Sequence, residues 1–574
     1  MAKELQFSPL DGIGGSGMFR GMNLRRSLPG LLTALLFAAN LLPRVVLANV
    51  YATQVRLNDS TDPIAAPGIG TVKISYLLNE PASGGVQLRV SSGTNTVHTI
   101  DVKPGTPGAL KGTNLITWDG QLDGSRPLRP GVYRISLTAS NTGHADWTQL
   151  TSDADIRTYV WEGRGVAVNP NPDSPFFGRI FIANAGRGPG LYPGDEVGIL
   201  KFNADFTDAA DGGFSTGGYN WAGDLHSPWK IEVSRDDGVY VNDFTSHGEF
   251  HRFDQSISPA SHLQITSAAN AGETGAAQLC GFALTGSGRD TALVAADQRA
   301  TNTPGILRFA LGITGVAATN DTGTIMIGSG GSLSGIPGDV ALDKAGNAYV
   351  IQSPMDPLNP QPVILKFPPW DPSTNNGTPI LQADWAVGGT EPHFGNPSGI
   401  AISPDGNFLA VSFLGTTPLA GNTSVFYTSN GAPVASLDLG QSISGQSSHE
   451  DTDCAWDAAG NLYYIDNHYG AWRAVSPPGP NGFTTPSMAF IQITGPLNIT
   501  GISLNNSTAT ILFDGAEAED PSAFEIHSSG DSSTGYTLEA AAVISQTGPG
   551  HFQATIPQTG AQKFYRLKRP AAAL

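Results

Sequence analysis

The stretch from Gly335 to Pro369 reads GIPGDVALDKAGNAYVIQSPMDPLNPQPVILKFPP. It contains three short runs of strand-forming residues, DVAL, AYVI and ILKF, separated by a Gly-Asn turn and by a proline-rich insert. The last run returns earlier in the chain as ILKF, FHRF and ILRF, so a phenylalanine recurs at positions 202, 253, 309 and 367, at intervals of 51, 56 and 58 residues. A sheet-forming unit that recurs at this spacing predicts a β-propeller or a related repeat array.

Six copies of the first run align with one another. Small residues recur at their third place, as expected for innermost strands that crowd around an axis. Asp-Gly or Gly-Asn turns follow four of the copies and suit tight hairpins. The copies are Gly165–Val168, Lys230–Val233, Gly281–Leu284, Asp339–Leu342, Gly399–Ile402 and Asp453–Trp456. The sequence therefore predicts a six-bladed β-propeller.

The composition agrees with an all-β protein. The chain has 574 residues, 71 Gly and 41 Pro, only 14% charged residues, and no long apolar stretch at helical spacing. We expect a signal peptide with a leading tract over residues 1–48, an Ig-like domain over 49–155, the propeller over 156–495 and a small β-sandwich over 496–574.

The formal net charge is −18 at pH 7. An acidic surface argues against nucleic acid as a partner, because phosphates need a basic surface. It is compatible with cations, with neutral glycans, or simply with solubility outside the cell. The two cysteines, Cys280 and Cys454, fall three blades apart, so we expect two buried thiols and no disulfide bond.

The N-terminus has the pattern of a secretory signal. Arg25 and Arg26 precede an apolar run over 31–39, and small residues suited to cleavage end at Ala48. The alternative is a retained anchor, but Pro43 and Arg44 interrupt the apolar stretch before the ~20 residues that a span requires. We expect a secreted, cell-surface or periplasmic protein with no membrane span after signal removal.

The segment that follows alternates as strands do. It contains Trp118-Asp119-Gly120, where Asp-Gly suits a tight turn, and Gly131-Val132-Tyr133. This arrangement resembles the Ig-like domain named after the flagellar hook-capping protein FlgD. The resemblance implies an accessory or spacer domain without catalysis.

The stretch 397–407, PSGIAISPDGN, resembles NHL-type and related six-bladed propellers. That resemblance implies the fold and leaves function open, since such propellers include lactonases, lyases and binding modules. Lactonases of the SMP-30 and gluconolactonase type hold an axial metal with Glu, Asn and Asp, and this chain matches them in part. We expect 490–493 to add an outer strand and 156–161 to close the ring.

The C-terminal segment alternates again, as in 508–513, TATILF, and 564–567, FYRL, and predicts a second small sandwich. Taken with 453–467 and with 472–479, WRAVSPPG, it resembles the terminal modules of large exported proteins from Verrucomicrobia-like bacteria. That resemblance identifies a kind of protein and implies no activity.

The richest polar cluster leads into the sixth first strand. The alignment places residues from blades two, four and six near one mouth of the axial channel, where we predict a binding site. Its candidate residues are Lys230, Asp339, His449, Glu450, Asp451 and Asp453. Asp339, Glu450 and Asp453 are the candidate ligands of a calcium ion, which takes six to eight oxygens. The alternatives are hydrated polar groups, or neutralisation of the carboxylates by Lys230.

Two other sets of residues bear on function. His247-x-x-x-His251 has the spacing of a helical metal motif, but in a strand these residues lie roughly 13 Å apart, so we expect a structural role for His251. Tyr219, Trp221 and Trp229 are suited to stacking on sugar rings or to packing between blades.

The residues favour a binding or scaffolding module for an extracellular glycan or protein ligand. The alternative is a metal-dependent hydrolase similar to SMP-30 and gluconolactonase, or a related propeller lyase. The sequence leaves open whether the protein is an enzyme, what it binds and how it oligomerises.

Overall fold

The computed structural model describes residues 49–568 except for 63, 67–69, 125, 129–130, 222–226, 245–248, 268–278, 299–304, 354–361, 374, 376, 389–395, 416–421, 438–449, 468, 494–496, 506, 516–518 and 558–562. The predicted signal peptide over 1–48 lies outside the described residues. Among the described residues, no helix has the length and apolar character that crossing a membrane requires.

A two-sheet sandwich stands at the N-terminal end of the described chain. The strands in this part of the chain are β1 (Ala52–Leu57), β2 (Ile64–Ala66), β3 (Val72–Leu78), β4 (Gly85–Ser92), β5 (Asn95–Val102), β6 (Gly112–Trp118), β7 (Gln121–Leu122), β8 (Arg126–Pro127), β9 (Gly131–His144) and β10 (Thr148–Gln149). β7 and β8 pair only with each other, and β10 joins the propeller. β1, β3 and β6 form one sheet, and β2, β4, β5 and β9 belong to a second. Trp118 from the first sheet and Ile135 from the second lie in one buried core, which holds the sheets face to face.

The repeated units form a ring of four-stranded sheets. Their strands are β11 (Gly163–Val168), β12 (Ile180–Asn184), β13 (Gly198–Phe202), β14 (Phe214–Ser215), β15 (Ile231–Val233), β16 (Val239–Asp243), β17 (Glu249–Phe253), β18 (Leu263–Gln264), β19 (Leu279–Thr285), β20 (Ala292–Asp297), β21 (Gly305–Ala310), β22 (Thr324–Gly328), β23 (Ile336–Leu342), β24 (Ala348–Ser353), β25 (Ile364–Phe367), β26 (Trp385–Val387), β27 (Asn396–Ile402), β28 (Phe408–Leu414), β29 (Thr423–Tyr427), β30 (Pro433–Leu437), β31 (Asp451–Trp456), β32 (Leu462–Asp466) and β33 (Ala471–Ser476). The first to fifth sheets are β11–β14, β15–β18, β19–β22, β23–β26 and β27–β30, and the sixth contains β31–β33.

The first strands of these sheets contact one another in a closed order, β11, β15, β19, β23, β27, β31 and back to β11. Apolar clusters fill the spaces between consecutive sheets; one contains Ile351 from the fourth sheet and Val411 from the fifth. A closed ring of antiparallel four-stranded sheets is a β-propeller. The prediction of an all-β propeller is confirmed.

The ring closes through β10, which differs from the predicted closure. Thr148 pairs with Ser476 and Gln149 with Val475, so a strand that precedes the first sheet completes the sixth. The segment 156–161, predicted to close the ring, contributes a single bridge between Tyr159 and Ala471. Pairing strands from the two ends of the propeller segment in one sheet closes the ring.

The strand predicted at 490–493 also lies elsewhere. It belongs to β34 (Gly479–Ile493), which runs antiparallel to β9 and completes the second sheet of the N-terminal sandwich. Ile491 pairs with Tyr133 and lies in the sandwich core. The prediction of an outer propeller strand there is wrong, because alternation of apolar and polar residues along a strand does not determine which sheet the strand joins.

Sandwich and ring share buried contacts. The rings of Tyr51 and Phe177 lie 5.4 Å apart, and Phe483 of β34 lies 6.0 Å from each. Asn461 of the sixth sheet donates from Nδ2 to the carbonyl of Asn49 over 2.8 Å. The N-terminal sandwich and the propeller are therefore joined by strands and by a common core.

The C-terminal strands form two more sheets around one core that includes Phe513 and Ile526. They are β35 (Asn498–Asn505), β36 (Thr508–Asp514), β37 (Glu525–Ser529), β38 (Thr537–Leu538), β39 (Val543–Gly548), β40 (His551–Pro557) and β41 (Phe564–Lys568). The described helices are short 3-10 turns at Ile156–Thr158, Pro193–Asp195, Pro259–Ser261, Gly288–Asp290, Gly312–Thr314 and Pro521–Ala523. Cys280 and Cys454 are free and buried, as predicted.

Candidate functional site

Three of the predicted residues meet at the centre of the ring. The Lys230 ammonium, just before β15, lies 2.7 Å from Asp453 Oδ1 of the sixth sheet and 3.7 Å from Asp339 Oδ2 of the fourth. It also donates to the carbonyl of Thr452 over 2.8 Å. All three charged side chains are buried, at 3% exposure for Lys230 and 6% for each aspartate. We call these three residues the axial cluster.

Glycines make room for the axial cluster. The residues equivalent to Lys230, Asp339 and Asp453 in the first, third and fifth sheets are Gly165, Gly281 and Gly399. A Cβ at Gly281 would lie 2.1 Å from Asp339 Oδ1, and one at Gly399 would lie 2.6 Å from Asp453 Cα. A Cβ at Gly165 would lie 3.0 Å from Lys230 Cα. Charged residue and glycine therefore alternate around the axis because a side chain in every sheet would not fit.

The protonation states follow from burial and from charge. Burial lowers the pKa of Lys230, but attraction by Asp453 and Asp339 outweighs it and the pKa lies above its ordinary value. Burial raises the pKa of Asp339 to about 7, although Lys230 lowers it. Burial also raises the pKa of Asp453, against the direct hydrogen bond from Lys230. At neutral pH, Lys230 and Asp453 form an ion pair. The carboxyl group of Asp339 beside them gains or loses its proton in this pH range.

Glu232 adds an acidic group to this region. It occupies the third place of its first strand, where the other five sheets carry alanine. Burial raises its pKa well above the ordinary value, and the charges of Asp453 and Asp339 raise it further. Burial therefore favours the protonated form of the Glu232 carboxyl group. Glu232 was not among the residues predicted from the sequence, although it is the one acidic residue at a position where the other copies have alanine.

The other predicted residues do not join the axial cluster. His449 lies outside the described residues. Asp451 is buried at the junction of the fifth and sixth sheets, where its Oδ2 accepts a hydrogen bond from Thr423 Oγ1 over 2.8 Å. A bulge between Asp451 and Asp453 breaks the strand register, so two residues that regular alternation would place on one face have different surroundings.

Glu450 lies at a second charged group. Glu450 forms a β-bridge with Leu414. Burial lowers the pKa of Arg164, and the negative charges of Glu162 and Glu450 offset part of this effect. Arg164 Nη2 donates to Glu162 Oε2 over 2.9 Å, and its guanidinium carbon lies 5.2 Å from the ring centre of Trp229. Acidic, basic and aromatic groups thus meet where the chain enters the first and second sheets. We call Glu162, Arg164, Trp229 and Glu450 the mouth group.

The predicted calcium site does not fit this geometry. Calcium takes six to eight oxygen ligands. Here the Lys230 ammonium already occupies Asp453 Oδ1, and the backbone N–H of Val166 donates to Asp453 Oδ2 over 2.9 Å. Glu450, the third predicted ligand, lies with Arg164. Lys230 therefore neutralises the axial carboxylates, which was the alternative weighed from the sequence.

A different set of potential ligands lies in the second sheet. Asp243 ends β16, Glu249 begins β17, and the two residues pair directly across the ladder. His251 follows two residues after Glu249, on the same side of its strand. The carboxylate oxygens and an imidazole nitrogen of these residues lie within 4.8 Å of one another. We call them the rim triad. From the sequence, His251 was considered as a metal ligand only together with His247, which lies outside the described residues, and a structural role was expected for it; Asp243 was not among the candidates.

The predicted aromatic residues pack against this region. Tyr219 lies 4.5 Å from Trp221 and 4.2 Å from His251 between ring centres. Trp221 is only 3% exposed and belongs to the core between the first and second sheets. Trp229 packs beside Phe244 at 5.2 Å and remains half-buried. Of the two roles considered for these aromatic residues, Trp221 therefore has that of packing between neighbouring sheets.

A cavity of about 290 Å³ lies beside the first sheet. Leu200, Phe202 and Phe214 form its apolar wall, and Tyr159 and Arg157 border it. Its volume is at the lower limit of small-molecule pockets. The axial cluster, the mouth group and the rim triad do not line it.

Comparison with known proteins adds little to this geometry. No protein-family model matches the sequence, and a search of curated proteins gives no match. Among solved structures, the chain is similar to the β-propeller domain of Cps50 (Swd1) from Myceliophteria thermophila, with 12% identity and a TM-score of 0.32 over 63% of this chain and 89% of that one.

Two enzymes give similar values. A gluconolactonase from Xanthomonas campestris shows 12% identity and a TM-score of 0.24 over 70% of this chain and 88% of that one. The calcium structure of carbohydrate-active enzyme family AA12 from Trichoderma reesei shows 14% identity and a TM-score of 0.37 over 58% and 96%. Scores this low carry no argument about function, and the description of this chain as a propeller rests on its own strand pairing.

Proposed function

We propose that this protein is a propeller-based binding or scaffolding module for an extracellular glycan or protein partner, with the two sandwiches as spacer or attachment modules. The observation that carries the proposal is the position of the Lys230 ammonium, 2.7 Å from Asp453 Oδ1 at the axis. A metal-dependent hydrolase needs carboxylate oxygens that are open to a cation. In this ring the same carboxylates contact the Lys230 ammonium, so they are not open to a metal ion.

The mouth group supplies the binding surface of this proposal. Trp229 is half-buried beside Phe244, and the guanidinium carbon of Arg164 lies 5.2 Å from the centre of its ring. Glu162 holds the arginine in place and is itself 24% exposed. Stacking on a tryptophan combined with fixed charged donors and acceptors suits a sugar or a polar peptide segment.

A binding screen tests the proposal. The full chain is applied to an array of defined neutral and acidic glycans and to a panel of purified extracellular proteins, and each hit is titrated. We expect Trp229→Ala to weaken a true hit about tenfold or more, as loss of a buried aromatic anchor does. Tyr427→Ala is the matched control, because Tyr427 is a 43% exposed aromatic at the far end of a third strand.

Two outcomes contradict the proposal. If Trp229→Ala and Arg164→Ala leave the affinity of every hit unchanged, the mouth group is not the binding surface. If the protein turns over a lactone or glycoside at enzymatic rates, binding alone is an insufficient account.

Hydrolysis is the second candidate, and one observation favours it. Burial raises the pKa of Glu232 well above its ordinary value, and a carboxylic acid whose pKa is raised is suited to protonating a leaving group. A screen of aldonolactones and glycosides at pH 5 to 8 tests this candidate. Turnover that falls at least 100-fold in Glu232→Gln would support it.

Secretion is part of the same proposal. The charged start, the apolar run and the small residues before position 49 support it. Fusing residues 1–48 to a reporter enzyme that is active only outside the cytoplasm should give reporter activity. Replacing Leu35 and Leu36 with arginine should abolish that activity, and an active fusion after this change would contradict the signal.

A further inference from the structure

We propose that the rim triad, Asp243, Glu249 and His251, is a binding site for a divalent first-row transition metal of the Zn²⁺ class. The proposal is independent of the mouth group and of the proposed binding function. It concerns a site on the second sheet, whereas a propeller lactonase would hold its metal on the axis.

The fold brings the three ligands together from two strands. The ladder between β16 and β17 sets Asp243 opposite Glu249, and the period of two along β17 adds His251. His251 Nε2 lies 3.9 Å from Glu249 Oε2, and all three ligand atoms lie within 4.8 Å. Ligand atoms around a tetrahedral zinc ion lie about 3.4 Å apart, given bonds of about 2.1 Å. Small side-chain rotations therefore close the set around an ion.

The second and independent observation is the state of His251. Its side chain is 1% exposed, and among the described residues its Nε2 has no hydrogen-bond partner, although it lies 3.9 Å from Glu249 Oε2. A buried ring nitrogen without a partner costs free energy, and such groups in native proteins call for an explanation. A metal ion between Nε2 and the carboxylates supplies the missing partner.

The other ring nitrogen is already engaged. His251 Nδ1 lies 3.0 Å from His262 Nε2, and in the tautomer with the proton on Nδ1 this hydrogen bond leaves the lone pair of Nε2 on the side of the triad. A metal-bound histidine usually donates its second N–H in this way, which fixes the tautomer and the ring orientation.

The carboxylates have the support expected around a metal. Tyr219 Oη donates to Asp243 Oδ2 over 2.7 Å, and Ser227 Oγ donates to Asp243 Oδ1. Within the described part of the chain, Asp243 forms no ion pair with a lysine or an arginine. Asp243 is only 5% exposed, and a bound cation would balance the charge of its carboxylate.

The ligand set indicates the metal class. Calcium and magnesium prefer oxygen ligands, whereas an imidazole with carboxylates suits Zn²⁺, Mn²⁺ or Fe²⁺. Glu249 is 19% exposed, so the site opens toward solvent on one side and keeps a position for water or for an exogenous ligand. Zn²⁺ is the appropriate first probe.

Metal titration tests the inference. The untagged full chain is treated with a chelator, exchanged into metal-free buffer and titrated with ZnCl₂ by calorimetry, while Co²⁺ provides a visible spectrum that reports ligand type. We expect one tight equivalent in the wild type and a loss of affinity of about 100-fold or more in Glu249→Gln and in Asp243→Asn. Tyr219→Phe removes only a supporting hydrogen bond and should weaken binding about tenfold.

Asp339→Asn is the matched control, because it removes a buried carboxylate of the axial cluster and should leave Zn²⁺ affinity unchanged. Glu249→Gln conserves volume at a partly exposed position, and circular dichroism verifies that it folds. If the wild type takes up no Zn²⁺, or if Glu249→Gln and Asp243→Asn bind it as tightly as the wild type, the inference is wrong.

Discussion

Lys230 donates from Nζ to Asp453 Oδ1 over 2.7 Å and thereby joins the second sheet to the sixth across the centre of the ring. The two residues are separated by 223 positions in the chain. Neither side chain is more than 6% exposed, so each charge depends on the other. A buried pair of this kind adds little net stability compared with apolar residues, but the loss of one partner is costly.

The first prediction concerns that cost. Lys230→Met leaves Asp339 and Asp453 buried without their cation, so we expect the free energy of unfolding at pH 8 to fall by about 3–5 kcal/mol. Chemical denaturation measures it. Lys344→Met is the control, because Lys344 is exposed and contacts only the carbonyl of Pro404 among the described hydrogen bonds.

A double-mutant cycle separates the ion pair from other effects of Lys230→Met. Combined with Asp453→Asn, the change should cost less than the sum of the two single changes, because each removes the same interaction. Additive losses would show that Lys230 and Asp453 do not act as a pair.

The second prediction concerns pH. Burial raises the pKa of Asp339 from its ordinary value of 3.8 to about 7. The folded state therefore binds this proton more tightly than the unfolded chain, and the resulting stability is complete below about pH 3.8 and is lost as the pH rises through about 7. Asp339→Asn resembles the protonated form and should avoid this loss.

Urea denaturation at pH 5 and pH 8 measures the effect. The difference in free energy of unfolding between Asp339→Asn and the wild type should shift in favour of the variant by on the order of 2 kcal/mol from pH 5 to pH 8. Asp290→Asn, which removes an exposed carboxylate, should show no such gain. A difference that does not change with pH would mean that Asp339 does not titrate in this range.

The ring could be predicted from the sequence because its signal is local and repeated. The first strand, the turn and the strand ending in Phe367 lie close together in the chain, and five other copies share the pattern of the first strand. The same alignment placed Lys230, Asp339 and Asp453 at equivalent positions. The three glycines between them were part of that alignment, but their role follows only from the distances across the axis.

The closure of the ring and the composition of the site could not be predicted in this way. β10 has two residues, and its pairing with Val475 and Ser476 joins segments more than 300 positions apart. The bulge before Asp453 separates it from Asp451, and a bulge leaves no clear mark in a single sequence. Asp243 and Glu249 become neighbours only through their pairing across the ladder.

The third prediction tests the glycine positions. Gly399→Ala places a Cβ 2.6 Å from the Cα of Asp453, a contact that neither backbone can relieve by rotation. Overpacking typically lowers the free energy of unfolding by about 1–3 kcal/mol, and we expect Gly399→Ala to reach or exceed the upper value. Gly338→Ala is the control, because its Cβ would come no closer than 3.4 Å to the carbonyl of Pro397. Equal melting temperatures for the two variants would contradict the close packing at the axis.

The fourth prediction concerns calcium. Because Lys230 neutralises the axial carboxylates, millimolar CaCl₂ should shift the melting temperature no more than NaCl of equal ionic strength. Lys230→Met exposes the same carboxylates to any cation, so this variant should be stabilised by Ca²⁺ through linkage. A large Ca²⁺ shift in the wild type that disappears in Asp453→Asn would restore the axial calcium site.

The last prediction concerns how the protein unfolds. Trp118 is 2% exposed in the core of the N-terminal sandwich, and Trp118→Ala should cost about 3–5 kcal/mol. The effect should not stay within the sandwich, because β34 enters it from the sixth sheet and β10 leaves it to complete that sheet. We therefore expect sandwich and ring to melt in one transition, which moves as a whole in Trp118→Ala. Calorimetry checks this, and two separate transitions with only the lower one shifted would show that the shared strands do not couple the two parts.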